Sequence, residues 1–290
     1  MLTVEDIRCL ERLALAHAQT QAAAGARHAR TRGHGLEFRD YRHYQPGDDP
    51  RLIDWTVDAR LRQLVVRVFR AEGQLRLHML LDTSASMGVG APSSKLACAA
   101  RLAAALAYVA VERRDSLGLT TFDSAIGVHL QSASGRPQLF RTLEVLKMAE
   151  ARGPSDIEAA LTSFATIARG PGLALVLSDF LDPRHTFEGL QLLIYRGLVP
   201  ALIQVVADED LDPDLQDEAE LVDAEHADAM PMVADRSVVD AYRERLARVT
   251  GSLRDFSLTH HLPWMQLRSS MSLDAILAAC MDAGLVAVHA

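Results

Sequence analysis

Asp82-Thr83-Ser84-Ala85-Ser86-Met87 is where residue type and spacing point most sharply to chemistry. One carboxylate and two hydroxyls stand at two-residue spacing directly after an apolar run, so Asp82, Ser84 and Ser86 can converge on one point from a single strand-to-helix loop. Neutral hydroxyls with few carboxylates suit Mg2+ (or Mn2+), a hard ion that keeps waters and an open position. The ion keeps positive charge in such a site and attracts a carboxylate or phosphate from outside. The competing reading is that the Asp and the two Ser residues cap the following helix and close a turn. Two later pieces add donors. Ser155, in Gly153-Pro154-Ser155-Asp156, offers a hydroxyl on a loop, with Asp156 expected to cap the helix that follows. Asp179, in Ser178-Asp179, offers a second carboxylate after an aliphatic run.

The elements that must position these residues are legible as alternating apolar strands and helices. Strands are predicted at 64–70, 76–81 ending in Asp82, 116–122, near 127–130, at 173–177, 200–206 and 264–268. Helices are predicted at 95–114, 137–149, 156–169, 186–196, 236–255 and 272–282, with a small hairpin formed by 220–223 and 230–234. This alternation calls for a Rossmann-like α/β fold with a mainly parallel sheet covered on both faces. Ligands in such sheets bind beyond the carboxyl ends of the strands, where Asp82 and Asp179 fall. Ile7, Leu10, Leu13, Ala14 and Ala18 have helical spacing, which predicts an amphipathic first helix over 3–21. The organisation expected is a small helix/strand module at 1–72 followed by an α/β domain at 73–290.

Composition bounds the function. The chain has 290 residues, 49% hydrophobic and 23% charged, enough for a full core. A net charge of −8 argues against nucleic acid as a partner. Only Lys95 and Lys147 are lysines, the other basic residues being Arg, so Lys chemistry is depleted. Cys9, Cys98 and Cys280 have no zinc spacing and read as buried thiols of a reducing cytoplasm. No run approaches the roughly 20 apolar residues of a membrane span, and no signal peptide is expected. Residues 207–228 hold 11 acids and no Lys or Arg; they read as a solvated loop, with a weak calcium or basic-partner role as the alternative. Met79, Met87, Met148, Met265 and Met281 read as core filler.

The ordered set of D-x-S-x-S, a loop hydroxyl and a strand-end Asp resembles the metal-ion-dependent adhesion site of von Willebrand factor A domains, over about residues 76–206. The resemblance implies Asp82, Ser84 and Ser86 as first-loop ligands, Ser155 as second-loop ligand and Asp179 as third-loop ligand of a Mg2+ or Mn2+ ion. Family members usually carry Thr at the second loop; Ser155 keeps the hydroxyl without the methyl that restrains its rotamer. Upstream, Gly35-Leu36-Glu37-Phe38-Arg39-Asp40-Tyr41-Arg42, Pro46-Gly47-Asp48-Asp49, Arg51-Leu52-Ile53-Asp54-Trp55 and Ala59-Arg60 resemble domain-of-unknown-function family 58, in which such a block precedes a von Willebrand factor A domain. That resemblance implies a MoxR-type AAA+ ATPase as partner, in the assembly or remodelling of protein complexes. Many members carry transmembrane helices ahead of the block; this chain looks like the soluble subtype. The acids and arginines of the block read as an ion-pair network or a recognition surface, with Trp55 as an anchor in a groove.

Two alternatives stand beside a metal-dependent, non-enzymatic interaction module. One is a Mg2+-dependent phosphohydrolase or nuclease built on Asp82, Asp179 and the Asp48, Asp49 and Asp54 cluster. Against it, the sequence places no Lys, His or Cys next to the loop as base or nucleophile. The other is a scaffold with a vestigial metal loop.

Overall fold

The structure, a computed structural model, describes residues 13–15, 36–44, 53–71, 75–181, 186–211, 220–221, 232–233 and 236–288. In chain order its elements are β1 (Leu13–Leu15), β2 (Leu36–His43), α1 (Trp55–Leu61), β3 (Val65–Ala71), β4 (Arg76–Asp82), α2 (Lys95–Glu112), β5 (Ser116–Phe122), β6 (Ile126–Ser134), α3 (Arg136–Met148), α4 (Ile157–Ile167), β7 (Gly172–Ser178), α5 (Thr186–Tyr195), β8 (Leu198–Val206), α6 (Asp208–Leu211), β9 (Glu220–Leu221), β10 (Met232–Val233), α7 (Arg236–His260), β11 (Trp264–Arg268), α8 (Leu273–Asp282) and β12 (Val286–Val288). They form two compact units, Ala26–Gln74 and the remainder, Met1–Gly25 with Leu75–Ala290.

The larger unit is built on a six-stranded sheet in the order β11-β8-β7-β4-β5-β6. All neighbours run parallel except the edge pair of β5 and β6. The expected Rossmann-like α/β fold with a mainly parallel sheet is therefore what the chain adopts. Strand periodicity divides the core in two. Leu77, Met79 and Leu81 of β4 and Leu173, Leu175 and Leu177 of β7 face one layer, with Leu102 and Leu106 of α2. Leu80 of β4 and Ala174 and Val176 of β7 face the other, with Leu161 and Phe164 of α4 and Leu190 of α5. A strand buried on both faces favours apolar residues along its length; Leu173–Leu177 of β7 is wholly aliphatic, while β4 carries the buried His78 within it and Asp82 at its end. From β4 the chain crosses to β5 on one side and later returns to β7 on the other. The sheet reverses its winding between β4 and β7, the position that opens a crevice at the carboxyl ends.

Two expectations about the ends of this unit are corrected. Residues 13–15, expected to be helical, form a strand paired antiparallel with β12 (Leu13↔Val288 to Leu15↔Val286); an apolar triplet fits either period, and an open sheet partner decides for extended chain. The rest of the expected helix lies outside the described residues, as does most of the acidic 207–228 run. Met148 and Met281, read as core filler, are exposed, whereas Met79, Met87 and Met265 are buried. Among the described residues no helix is long and apolar enough to cross a membrane.

In the smaller unit β2 and β3 pair antiparallel, with an irregularity between Phe38 and Asp40. Asp54, buried, caps α1 by accepting from the Thr56 N–H at 3.0 Å. Trp55, expected to anchor in a groove, is instead 61% exposed at the first helical position, directly after that cap. Asp48 and Asp49 lie outside the described residues.

Candidate functional site

Asp82 is the last residue of β4, and Ser178 ends the adjacent β7. Parallel pairing in register (Leu81↔Leu177) brings the two strand ends together. Asp82 and Ser84 are fully buried, and Ser86 and Asp179 nearly so. Asp82 Oδ1 accepts from the Ser84 N–H at 2.9 Å, closing the loop on itself. Its Oδ2 accepts from the Ser178 hydroxyl at 2.6 Å, and the Ser155 hydroxyl lies 3.5 Å away. The Ser84 and Ser86 hydroxyls sit 3.2 Å apart. Four of the five expected donors are thus gathered at one loop cluster, with Asp179 following Ser178 and acting on Asp82 through its charge, and the first and second loops are stitched by backbone bonds from Ala85 N–H to the Gly153 carbonyl and from Arg152 N–H to the Thr83 carbonyl, both 2.8 Å.

Of the competing reading, the turn closure holds for Asp82, which takes the Ser84 N–H, whereas the helix capping does not hold for Ser84. Ser84 precedes a short 3-10 turn (Ala85–Gly88) but its side chain makes no cap bond, and α2 is capped by Ser94, which accepts from the Ala97 N–H at 3.1 Å. The hydroxyls of Ser84 and Ser86 are therefore not spent on helix ends. Asp156 caps α4 as expected, accepting from the Ala159 N–H at 2.9 Å.

Lys95 corrects the expectation that no lysine adjoins the loop. The first residue of α2, it is 1% exposed, and its Nζ lies 2.7 Å from Asp179 Oδ2 and 3.2 Å from Asp210 Oδ2. Burial works against the ammonium, but the two carboxylates outweigh it and hold its pKa above the ordinary value. Asp210, expected in a solvated loop, is buried on α6. It accepts from the Ala207 N–H at 2.8 Å and from the Tyr242 hydroxyl of α7 at 3.0 Å. Burial, then the Asp210 charge, pushes the Tyr242 phenol well up. Sequence reasoning missed Lys95, Ser178, Asp210 and Tyr242. Lys95 had one signal: a lysine opening a helix in a chain whose only other lysine is Lys147.

The electrostatics single out Asp82. Among the described residues it takes part in no ion pair. Burial first, and then the Asp179 charge, push its carboxyl up to about 7, against the pull of the Ser178 and Ser84 hydrogen bonds. Phe180, buried directly after Asp179, has φ 53°, a left-handed conformation that costs a bulky residue about 1–3 kcal/mol and persists where the surroundings enforce it. Its N–H donates to Ser178 Oγ at 3.0 Å, so the hydroxyl that serves Asp82 also holds this turn. The donors fit a hard divalent ion in type, being carboxylate and hydroxyl oxygens around a buried charge that lacks a cation. Among the described residues no three His, Cys, Asp or Glu side chains cluster for a metal, so hydroxyls are essential to the set. Asp179 fits only in part, because one of its oxygens is held by Lys95.

The profile of DUF58, described as a protein of unknown function, matches residues 40–251. The chain belongs to the DUF58 family. Relatives include Uncharacterized protein Mb1516 of Mycobacterium bovis and Uncharacterized protein Rv1480 of Mycobacterium tuberculosis, each 31% identical over 227 residues, 77% of this chain and 70% of theirs. Among solved structures, the conserved hypothetical protein BatB from Bacteroides thetaiotaomicron is similar with a TM-score of 0.45 and 16% identity, over 72% of this chain and 98% of that one. An aerotolerance-related membrane protein from Bacteroides fragilis is similar with a TM-score of 0.43, also at 16% identity and over the same shares of the two chains.

Proposed function

We propose that this DUF58 chain is a metal-dependent protein-interaction module of von Willebrand factor A type, holding Mg2+ or Mn2+ through Asp82, Ser84, Ser86, Ser155 and Asp179, and acting with a MoxR-type AAA+ ATPase in assembling or remodelling protein complexes. The observation that carries this reading is the buried Asp82 carboxylate, ringed by hydroxyls and free of any ion pair among the described residues, at the sheet's point of reversal. Removing a carboxylate from water without a partner costs several kcal/mol, so a fold that keeps one there gains from a cation. A divalent ion at this point supplies a positive charge with an exchangeable position that a partner's Asp or Glu can take.

The chain's own residues favour binding over hydrolysis. Lys95 keeps its proton and is committed to two carboxylates, so it serves as neither nucleophile nor base. Asp82 is fixed by two hydrogen bonds from its own loop and from β7, which leaves it no freedom to attack. Beside the loop, a depression of about 400 Å³ is lined by Thr83, Val128, Val145, Met148 and Arg152, among others, offering apolar contact next to the charged point. The MoxR-type partner rests on the family resemblance alone.

The test is a pull-down of a MoxR-type ATPase from the same organism, in Mg2+ and in EDTA, with wild type and Ser84→Ala. Binding lost in EDTA and in the variant supports the reading. Undiminished binding in both shows that the loop is not the docking point.

A further inference from the structure

Three features of Lys95's position work against a lysine there. It is almost fully buried. It opens α2, where the helix dipole favours negative charge. And it draws Asp179 Oδ2, one of the two carboxylates that face the loop cluster, away from any other cation at 2.7 Å. What stabilises it is a second carboxylate, Asp210, which is itself fixed from two sides by the Ala207 N–H and the Tyr242 hydroxyl. Asp210 therefore stays in place whatever Asp179 does.

We infer that Lys95 is a built-in counter-ion that competes with a divalent cation for Asp179, so that it sets the metal affinity of the site. In this arrangement the ammonium neutralises Asp179 when no ion is held. When an external cation takes Asp179, Lys95 keeps Asp210 as its remaining partner, and no charge is left unpaired. The exchange needs a local turn of the Asp179 side chain, which also gives up the Leu181 N–H that its Oδ1 accepts at 3.3 Å, while Lys95 already touches both carboxylates. A site that carries its own cation binds an external one weakly and reversibly, as a docking point that must release its partner requires. The inference rests on the metal reading of the Asp82 loop and deepens it by naming the residue that tunes it.

The test is calorimetric titration of Mg2+ into the wild-type chain, into the Lys95→Met/Asp210→Asn double variant, and into the same double carrying Asp179→Asn. The double variant leaves Asp82 and Asp179 as two carboxylates, the formal complement of one divalent ion. It is expected to bind Mg2+ roughly tenfold or more tightly than wild type, a gain of at least about 1.4 kcal/mol, and Asp179→Asn is expected to abolish the gain. A double variant that is unfolded in EDTA and folded by Mg2+ counts as that gain. Affinity no higher than wild type, a gain that survives Asp179→Asn, or a double variant that stays unfolded in Mg2+ overturns the inference. The metal reading is judged separately, on the wild-type titration: if wild type binds and the double variant binds no tighter, only the role of Lys95 falls; if only the double variant binds, the wild-type metal site falls and the role of Lys95 stands.

Discussion

Replacing Asp82 by Asn should stabilise the metal-free protein at alkaline pH. An unfolded Asp loses its proton near 3.8, whereas the buried Asp82 keeps its proton to about 7. Between those values the native state binds more protons than the unfolded state, so stability falls as pH rises through the window and is constant above it. The distance between those two values corresponds to about 4 kcal/mol at pH 8. Asn resembles the protonated acid. Its carbonyl can accept from the Ser84 N–H, and its amide can donate to Ser178 Oγ, which also accepts from Phe180. In EDTA at pH 8, urea denaturation should show Asp82→Asn more stable than wild type by up to about 4 kcal/mol, with the difference shrinking to within about 1 kcal/mol near pH 4. Mg2+ at a hundredfold excess over Kd should narrow the gap, adding about 2.7 kcal/mol to wild type and nothing to the variant. A variant less stable than wild type in EDTA at pH 8 would refute the idea that the carboxylate lacks a cation, and equal stabilisation of both by Mg2+ would remove Asp82 from the site.

Other expectations follow from the same contacts. His78 is buried with no hydrogen-bond partner for Nε2 among the described residues, and burial first, with Arg76 and His129 adding, lowers its pKa to about 4; the unfolded chain gains the proton first, so stability should fall by about 3 kcal/mol as pH drops from 6.5 to 4. Because Asp82 acts with the opposite sign over the same range, this is read in the Asp82→Asn background, where His78→Leu should flatten the profile. Ser178→Ala removes both the donor to Asp82 and the acceptor of the Phe180 N–H, and should lower stability by about 1–3 kcal/mol in urea. Gly172→Ala sets a methyl 2.4 Å from the Arg76 carbonyl oxygen across the β7–β4 pair, a backbone clash that should cost about 1–3 kcal/mol; an unchanged midpoint would mean the strands can separate there.

Much of the larger unit was legible because its strands are pure in period and type. Leu173–Leu177, a short aliphatic run between Gly172 and Ser178 in a chain of alternating strands and helices, reads as a strand buried on both faces, and strand ends fix where Asp82 and Asp179 stand. The two-residue spacing of Asp82, Ser84 and Ser86 likewise foretold their convergence, and Asp156 its cap. What stayed hidden depends on partners distant in sequence. Leu13–Leu15 became a strand only because β12 lies beside it. Lys95 and Asp210 stand 115 positions apart on a helix start and in an acidic run, and neither residue type says that the fold will bury them together. Trp55 stands exposed beside the Asp54 cap, a placement that its residue type does not announce.

Manganese titration followed by electron paramagnetic resonance tests the central claim most directly, because it counts bound ions without any partner protein. The wild-type chain should take up one Mn2+ that Mg2+ displaces, and Asp82→Asn and Ser84→Ala/Ser86→Ala should each lose it while keeping the circular dichroism of the fold. Uptake that is the same in all three proteins, or no uptake by the wild-type chain, would contradict a cation site at this loop.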